Sequence, residues 1–205
     1  MEKIKVCRKT TESEMNVTLD FSPLRPDYRK YINTTIPFFN HMLEHIAWRG
    51  GFNLEVDVKL DEFTLTHVIT EDLGIAIGKA CKEYIDRTDG CYGYGDAIGI
   101  IDEAKAEAAI SFESRALFLI DYHGAELTEK VEGMDTQDLE TFLEGFVQGA
   151  MCTLQVDVMR GHNGHHIWEA VFRSIGSALN KTFEISEARK GKTSGVAGKI
   201  NWTVE

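Results

Sequence analysis

The chain has 205 residues, 43% of them hydrophobic, with a formal net charge of -11. This suits one domain with a sizeable core. With only 3 prolines and no low-complexity tract, long disorder is not expected. The negative charge argues against a nucleic-acid partner, whose phosphates need clustered Lys and Arg, and no apolar run is long enough for a membrane span.

The N-terminal residues lead into an alternating pattern rather than a signal peptide, so a cytoplasmic protein is expected. Ile4, Val6 and Arg8 open a strand, and Met15 to Phe21 alternates apolar and polar as a half-buried strand does. Pro23 and Pro26 mark a loop. From Pro37 to about Arg49, Phe38, Met42, Leu43 and Ile46 recur at helical spacing, and Gly50-Gly51 stops the helix. Leu54 to Lys59 alternates cleanly as a strand. A second helix is expected from near Thr70 through Leu73, Ile77, Ala80 and Tyr84.

The order then repeats. Ala106 to Phe112 and Leu117 to Tyr122 read as strands, and Asp135 to Asp138 caps a helix running to about Met151. Leu154 to Met159 is the next strand, and a helix from about His165 to Lys181 closes the unit. The strands Leu54-Glu55-Val56-Asp57-Val58 and Leu154-Gln155-Val156-Asp157-Val158 are nearly identical and 100 positions apart. An internal duplication follows, with two β-β-α-β-α halves covering residues 1–92 and 93–205 in one compact α+β sandwich.

Six of the seven histidines fall in three clusters, around His41 and His45, at His67, and at His162, His165 and His166. Glu71 lies four residues after His67, and Glu169 lies four after His165 and three after His166. On a helix these offsets put imidazole and carboxylate on one face. That donor set suits Mn, Fe, Ni or Zn better than Ca or Mg, so a metal enzyme is the first expectation. Arg115 and the basic tail from Arg189 to Lys199 are candidates for gripping an anion, and Asp102-Glu103 for orienting a ligand or acting as a base. His123 reads as a turn residue and His162 as borderline. Gly74 to Gly78 reads as close helix packing rather than a phosphate loop. Cys7, Cys81, Cys91 and Cys152 lack CxxC spacing and read as reduced, buried thiols.

Four motifs in order resemble those of the imidazoleglycerol-phosphate dehydratase family. They are Phe38-Phe39-Asn40-His41-Met42-Leu43, His67 to Gly74, Ile101-Asp102-Glu103-Ala104, and Gly161 to Ala170. The resemblance covers nearly the whole chain. It implies a duplicated sandwich of the kind seen in the second domain of ribosomal protein S5, two Mn ions per site, and shells of 24 subunits with sites at subunit interfaces. The implied activity is a hydro-lyase step of histidine biosynthesis that converts imidazoleglycerol phosphate to imidazole-acetol phosphate. The implied metal ligands are His41, His67, Glu71, His165, His166 and Glu169. Glu12, Glu71 and Glu169 are the implied catalytic groups, and Glu12, His45, Arg115 and Lys199 the implied substrate contacts.

The chain departs from the family pattern at several of these motifs. Val68 and Gln155 replace two ligand histidines, and His45 stands where the family has glutamine. Arg49 replaces a histidine, Gly93 an arginine, Ala116 a proline, and Ala197 and Gly198 a Ser-Thr pair. Three remaining ligands per site can still hold a metal with water, and His45 is one helical turn from His41, placed to replace a lost ligand. These departures keep two alternatives open: a paralogue acting on or binding another imidazole-type ligand, and a catalytically weak metal-binding shell subunit.

Overall fold

A computed structural model describes residues 3–62, 64–201 and 203–204. Two four-stranded sheets are built alike. The first runs β1 (Lys3–Lys9), β2 (Ser13–Asp20), β3 (Ile32–Asn33), α1 (Pro37–Gly50), β4 (Asn53–Leu60) and α2 (Thr66–Arg87), with spatial order β1-β2-β4-β3. The second runs β5 (Tyr94–Ile101), β6 (Ala104–Ser111), β7 (Leu117–Asp121), a short hairpin of β8 (Lys130–Val131) and β9 (Met134–Asp135), α3 (Thr136–Ala150), β10 (Thr153–Arg160) and α4 (Gly164–Phe183). Its spatial order is β5-β6-β10-β7. In both sheets the first three strands pair antiparallel, and the fourth joins parallel to its neighbour.

Each half therefore carries one strand more than the expected β-β-α-β-α. The strand at Leu117 matches the two-residue β3 of the first half. The missed partner of β1 is β5. Its apolar alternation is broken at Gly95 and Gly99, and both are glycine because α4 lies directly on them. A Cβ would come within 2.0 Å of the Ala178 carbonyl oxygen at Gly95, and within 2.1 Å of that of Ala170 at Gly99.

The sheets bury one face each. In β2, Met15, Val17 and Leu19 point inward while Asn16 and Thr18 point outward. The helices fill the space between the sheets, with α2 against β1 and β2, α4 against β5 and β6, α1 against α4, and α2 against α3. The α2–α3 crossing brings backbone onto backbone. A Cβ on Gly74 or Gly78 would lie 2.3 or 2.1 Å from the carbonyl oxygens of Phe142 and Phe146, so the glycine pair serves helix packing as expected.

Pro37 stands in the first turn of α1, and Gly51 ends that helix at φ 73. Helix α2 begins at Thr66, about a turn before its expected start, and so carries both His67 and Glu71. Asp135 occupies the cap position of α3, but its side chain makes no cap hydrogen bond. The cysteines are free as expected, though Cys7 is exposed on β1 and only the other three are buried. Among the described residues no helix is long and apolar enough to cross a membrane.

Candidate active site

The crossing of α1 and α4 gathers one histidine cluster. Asn163 caps α4 by accepting hydrogen bonds from the backbone N–H groups of His165 and His166, which orients the first turn. Glu169, one turn further, is buried at 4% exposure. His41 Nε2 lies 3.4 Å and His165 Nε2 3.4 Å from its Oε2, while His45 Nε2 lies 3.2 Å from its Oε1. Arg173, one turn later on α4, also contacts this carboxylate. Burial pushes the Glu169 pKa up, but His45, Arg173 and His41 outweigh it and leave the carboxyl below its usual range. Burial takes the His45 pKa down, despite the Glu169 charge.

Most of the clustered histidines have Nδ1 turned to a carboxylate. His41 Nδ1 is 3.5 Å from Glu44, His165 Nδ1 3.1 Å from Glu132, and His166 Nδ1 2.8 Å from Glu103. His67 Nδ1 is 3.8 Å from Asp138. An ionised carboxylate only accepts, so the hydrogen-bonded Nδ1 atoms of His41, His165 and His166 carry their protons toward the carboxylates, and in the neutral ring Nε2 keeps the lone pair. This is how proteins orient metal-binding histidines, and the donor set fits a divalent transition metal.

His67 and Glu71 sit together at the start of α2, 3.7 Å apart, His67 exposed and Glu71 half-buried. No ion pair, hydrogen bond or ring contact joins them to the His41 cluster among the described residues. Glu12 is exposed in the β1–β2 turn. That turn is pinned to α2 through buried Asp72, which accepts from the Ser13 hydroxyl and pairs with Arg8 at 2.7 Å. Val68 is half-buried beside His67, and Gln155 is exposed on the outer face of β10.

Arg115 and Lys199 line one cavity of about 620 Å³, together with Lys82, Arg87 and Lys192. The basic tail forms part of its wall. Its Ser194 donates to the Phe112 carbonyl, and Arg189 donates to Ser194 O at 2.9 Å. Gly93 has φ 67, and a Cβ there would be 2.0 Å from Ser194 Cβ, so an arginine at this position would displace the tail. The cavity lies at the C-terminal end of α2, about 22–30 Å along the helix from His67 at 1.5 Å per residue.

The protein-family model described as imidazoleglycerol-phosphate dehydratase matches residues 34–179. The chain belongs to this family. It is 33% identical over 196 residues to the imidazoleglycerol-phosphate dehydratase of Pseudomonas aeruginosa (strain LESB58), covering 96% of this chain and 97% of that one. It is 31% identical over 191 residues to that of Oceanobacillus iheyensis, covering 93% and 96%. The crystal structure of the Pyrococcus furiosus family member, in complex with (S)-C348, superposes with a TM-score of 0.79 at 25% identity, covering 95% of this chain and all (100%) of that one. The Staphylococcus aureus enzyme gives 0.76 at 28% identity, covering 90% and 100%.

The sequence missed the orienting carboxylates Glu44, Glu132 and Asp138. Only Glu44 carried a local signal, being three residues after His41 on one helix. His123 is the expected turn residue, at φ 44, and pairs with Asp157 at 2.6 Å on the outer sheet face. His162 is exposed, 3.9 Å from Glu103.

Proposed function

We propose that this chain dehydrates imidazoleglycerol phosphate to imidazole-acetol phosphate in histidine biosynthesis. It would do so with a divalent transition metal, Mn first among them, held by His41, His67, Glu71, His165, His166 and Glu169. Membership of a dehydratase family makes it a hydro-lyase. The carrying observation is the set of Nδ1–carboxylate pairs, which leaves several Nε2 atoms available as donors. When bound, the metal would withdraw electron density from a coordinated imidazole and favour its anionic form.

The chain's own residues supply the rest. Arg115 and Lys199 would hold the phosphate with charge-assisted bonds. Glu12, on a turn fixed to α2 by Asp72, is the candidate base for the proton lost from the carbon next to the departing hydroxyl, with Glu71 and Glu169 bordering the reacting ring.

A substrate with a ring, three carbons and a phosphate spans roughly 10 Å at ordinary bond lengths. It cannot bridge the distance of about 22–30 Å between His67 and the cation cavity in one chain. The reading therefore needs a homo-oligomer in which the cavity of one subunit faces the histidines of another, consistent with the 24-subunit shells the resemblance implies.

The test is turnover of imidazoleglycerol phosphate by Mn-loaded protein, read as ketone formation and abolished by a chelator. Bound metal and intact assembly without turnover would overturn this reading in favour of a different imidazole-type ligand.

A further inference from the structure

We propose that His45 is a metal ligand, completing with His41 and Glu169 a site that a single chain builds by itself. The inference rests on the metal-dependent reading above and adds a donor that the family pattern, with glutamine at this position, does not contain.

Three observations carry it. First, one donor atom from each of His41, His45 and Glu169 lies within 4.8 Å of the others, a group that no other three His, Cys, Asp or Glu residues form among those described. The separations are 3.3 Å between the two Nε2 atoms, 3.2 Å from His45 to Glu169 Oε1 and 3.4 Å from His41 to Glu169 Oε2. Bonds of about 2.0–2.1 Å to one tetrahedral ion place donors about 3.3–3.4 Å apart, so the two imidazoles already stand at ligand spacing and Glu169 turns an oxygen toward each.

Second, the three side chains are held on rigid elements. His41 and His45 are one turn apart on α1, and their rings meet at 4.6 Å between centroids. Glu169 faces them from α4, where Gly176 lets the two helices approach closely. Glu44 holds His41 Nδ1 and so turns Nε2 inward.

Third, the position is sheltered from water. His45 stands inside the α1–α4 crossing, with its side chain only 17% exposed. Two imidazoles and a carboxylate leave coordination positions open for a substrate ring, and they suit Mn, Fe or Zn.

The experiment titrates metal-free, assembled protein with Co(II), reading affinity by chelator competition and coordination by the ligand-field absorption of bound Co(II). His45→Gln is expected to weaken binding at least about 10-fold, since even the loss of an outer partner costs that much, and to change the spectrum. His123→Gln, on the far sheet face, should change neither. Wild-type affinity and spectrum in folded His45→Gln protein would overturn the proposal. If that variant fails to assemble, His45→Glu, which keeps a donor, is read instead. A shifted spectrum supports ligation and an unchanged one overturns it. Turnover is measured separately. Turnover with unaltered Co(II) binding in His45→Gln removes the ligand but leaves the dehydratase reading intact, and ligation without turnover does the reverse.

Discussion

His166 and Glu103 are 63 residues apart in sequence, yet Nδ1 of the one lies 2.8 Å from Oε2 of the other. The bond joins the β5–β6 turn to the first turn of α4. It holds the Glu103 carboxyl down at about 2 and raises the His166 pKa. Glu103 also accepts from the backbone N–H of Asn163 at 3.0 Å, so one carboxylate fixes both the helix cap and the ring it carries.

Removing it is expected to loosen His166, one of the proposed metal ligands, without touching the metal. Glu103→Ala should lower Mn or Co(II) affinity by about 10- to 100-fold, the usual cost of losing an orienting partner. Metal content after dialysis against graded chelator measures this. Unchanged content would mean that His166 needs no orientation.

Arg115 and Lys199 both line the tail-lined cavity. Each charge-assisted phosphate bond contributes roughly 1.5–3 kcal/mol. Arg115→Ala or Lys199→Ala should therefore raise KM for the phosphorylated substrate by about 10- to 100-fold while kcat changes little. A fall in kcat with unchanged KM would place these cations away from the phosphate.

Gly78 sits where α2 meets α3, with the Phe146 carbonyl oxygen 2.1 Å from any added Cβ. The clash is with backbone, so a helix must move. Gly78→Ala is expected to destabilise the fold by about 1–3 kcal/mol, as overpacking does. In a domain of this size that lowers Tm by roughly 2–4 °C per kcal/mol. A thermal melt equal to wild type would show that the crossing is looser than drawn.

Of the four thiols, Cys7 is exposed and Cys81, Cys91 and Cys152 are buried. Burial pushes Cys91 up to about 11, and Cys81 and Cys152 higher still. A raised pKa keeps a thiol protonated, and only the thiolate reacts. At pH 8, a disulfide reagent should titrate one thiol rapidly in the native protein and the other three only on unfolding. Fast reaction of more than one would indicate local opening.

Local order was legible in the sequence because helices and strands here follow their own periods. Met15, Val17 and Leu19 alternate and form β2, and Phe38, Met42, Leu43 and Ile46 recur and form α1. The two matched strands gave away the two similar sheets, and the His and Glu spacings put His67 beside Glu71 on α2 and His165 beside Glu169 on α4. β5 escaped because Gly95 and Gly99 replaced its inward apolar residues, a choice made by α4 lying across them.

The sequence by itself determined the elements, the repeated plan and which residue types carry the chemistry, since those depend on contacts within a turn or a strand. Only the tertiary structure decided which imidazoles converge, which carboxylates hold their Nδ1 atoms, and that the cation cavity lies at the end of α2 opposite His67. Glu132 reaches His165 across 33 positions and Glu103 reaches His166 across 63, and no periodicity records a contact made by packing one layer on another. The distance between the two ends of α2 is likewise set by its rise per residue.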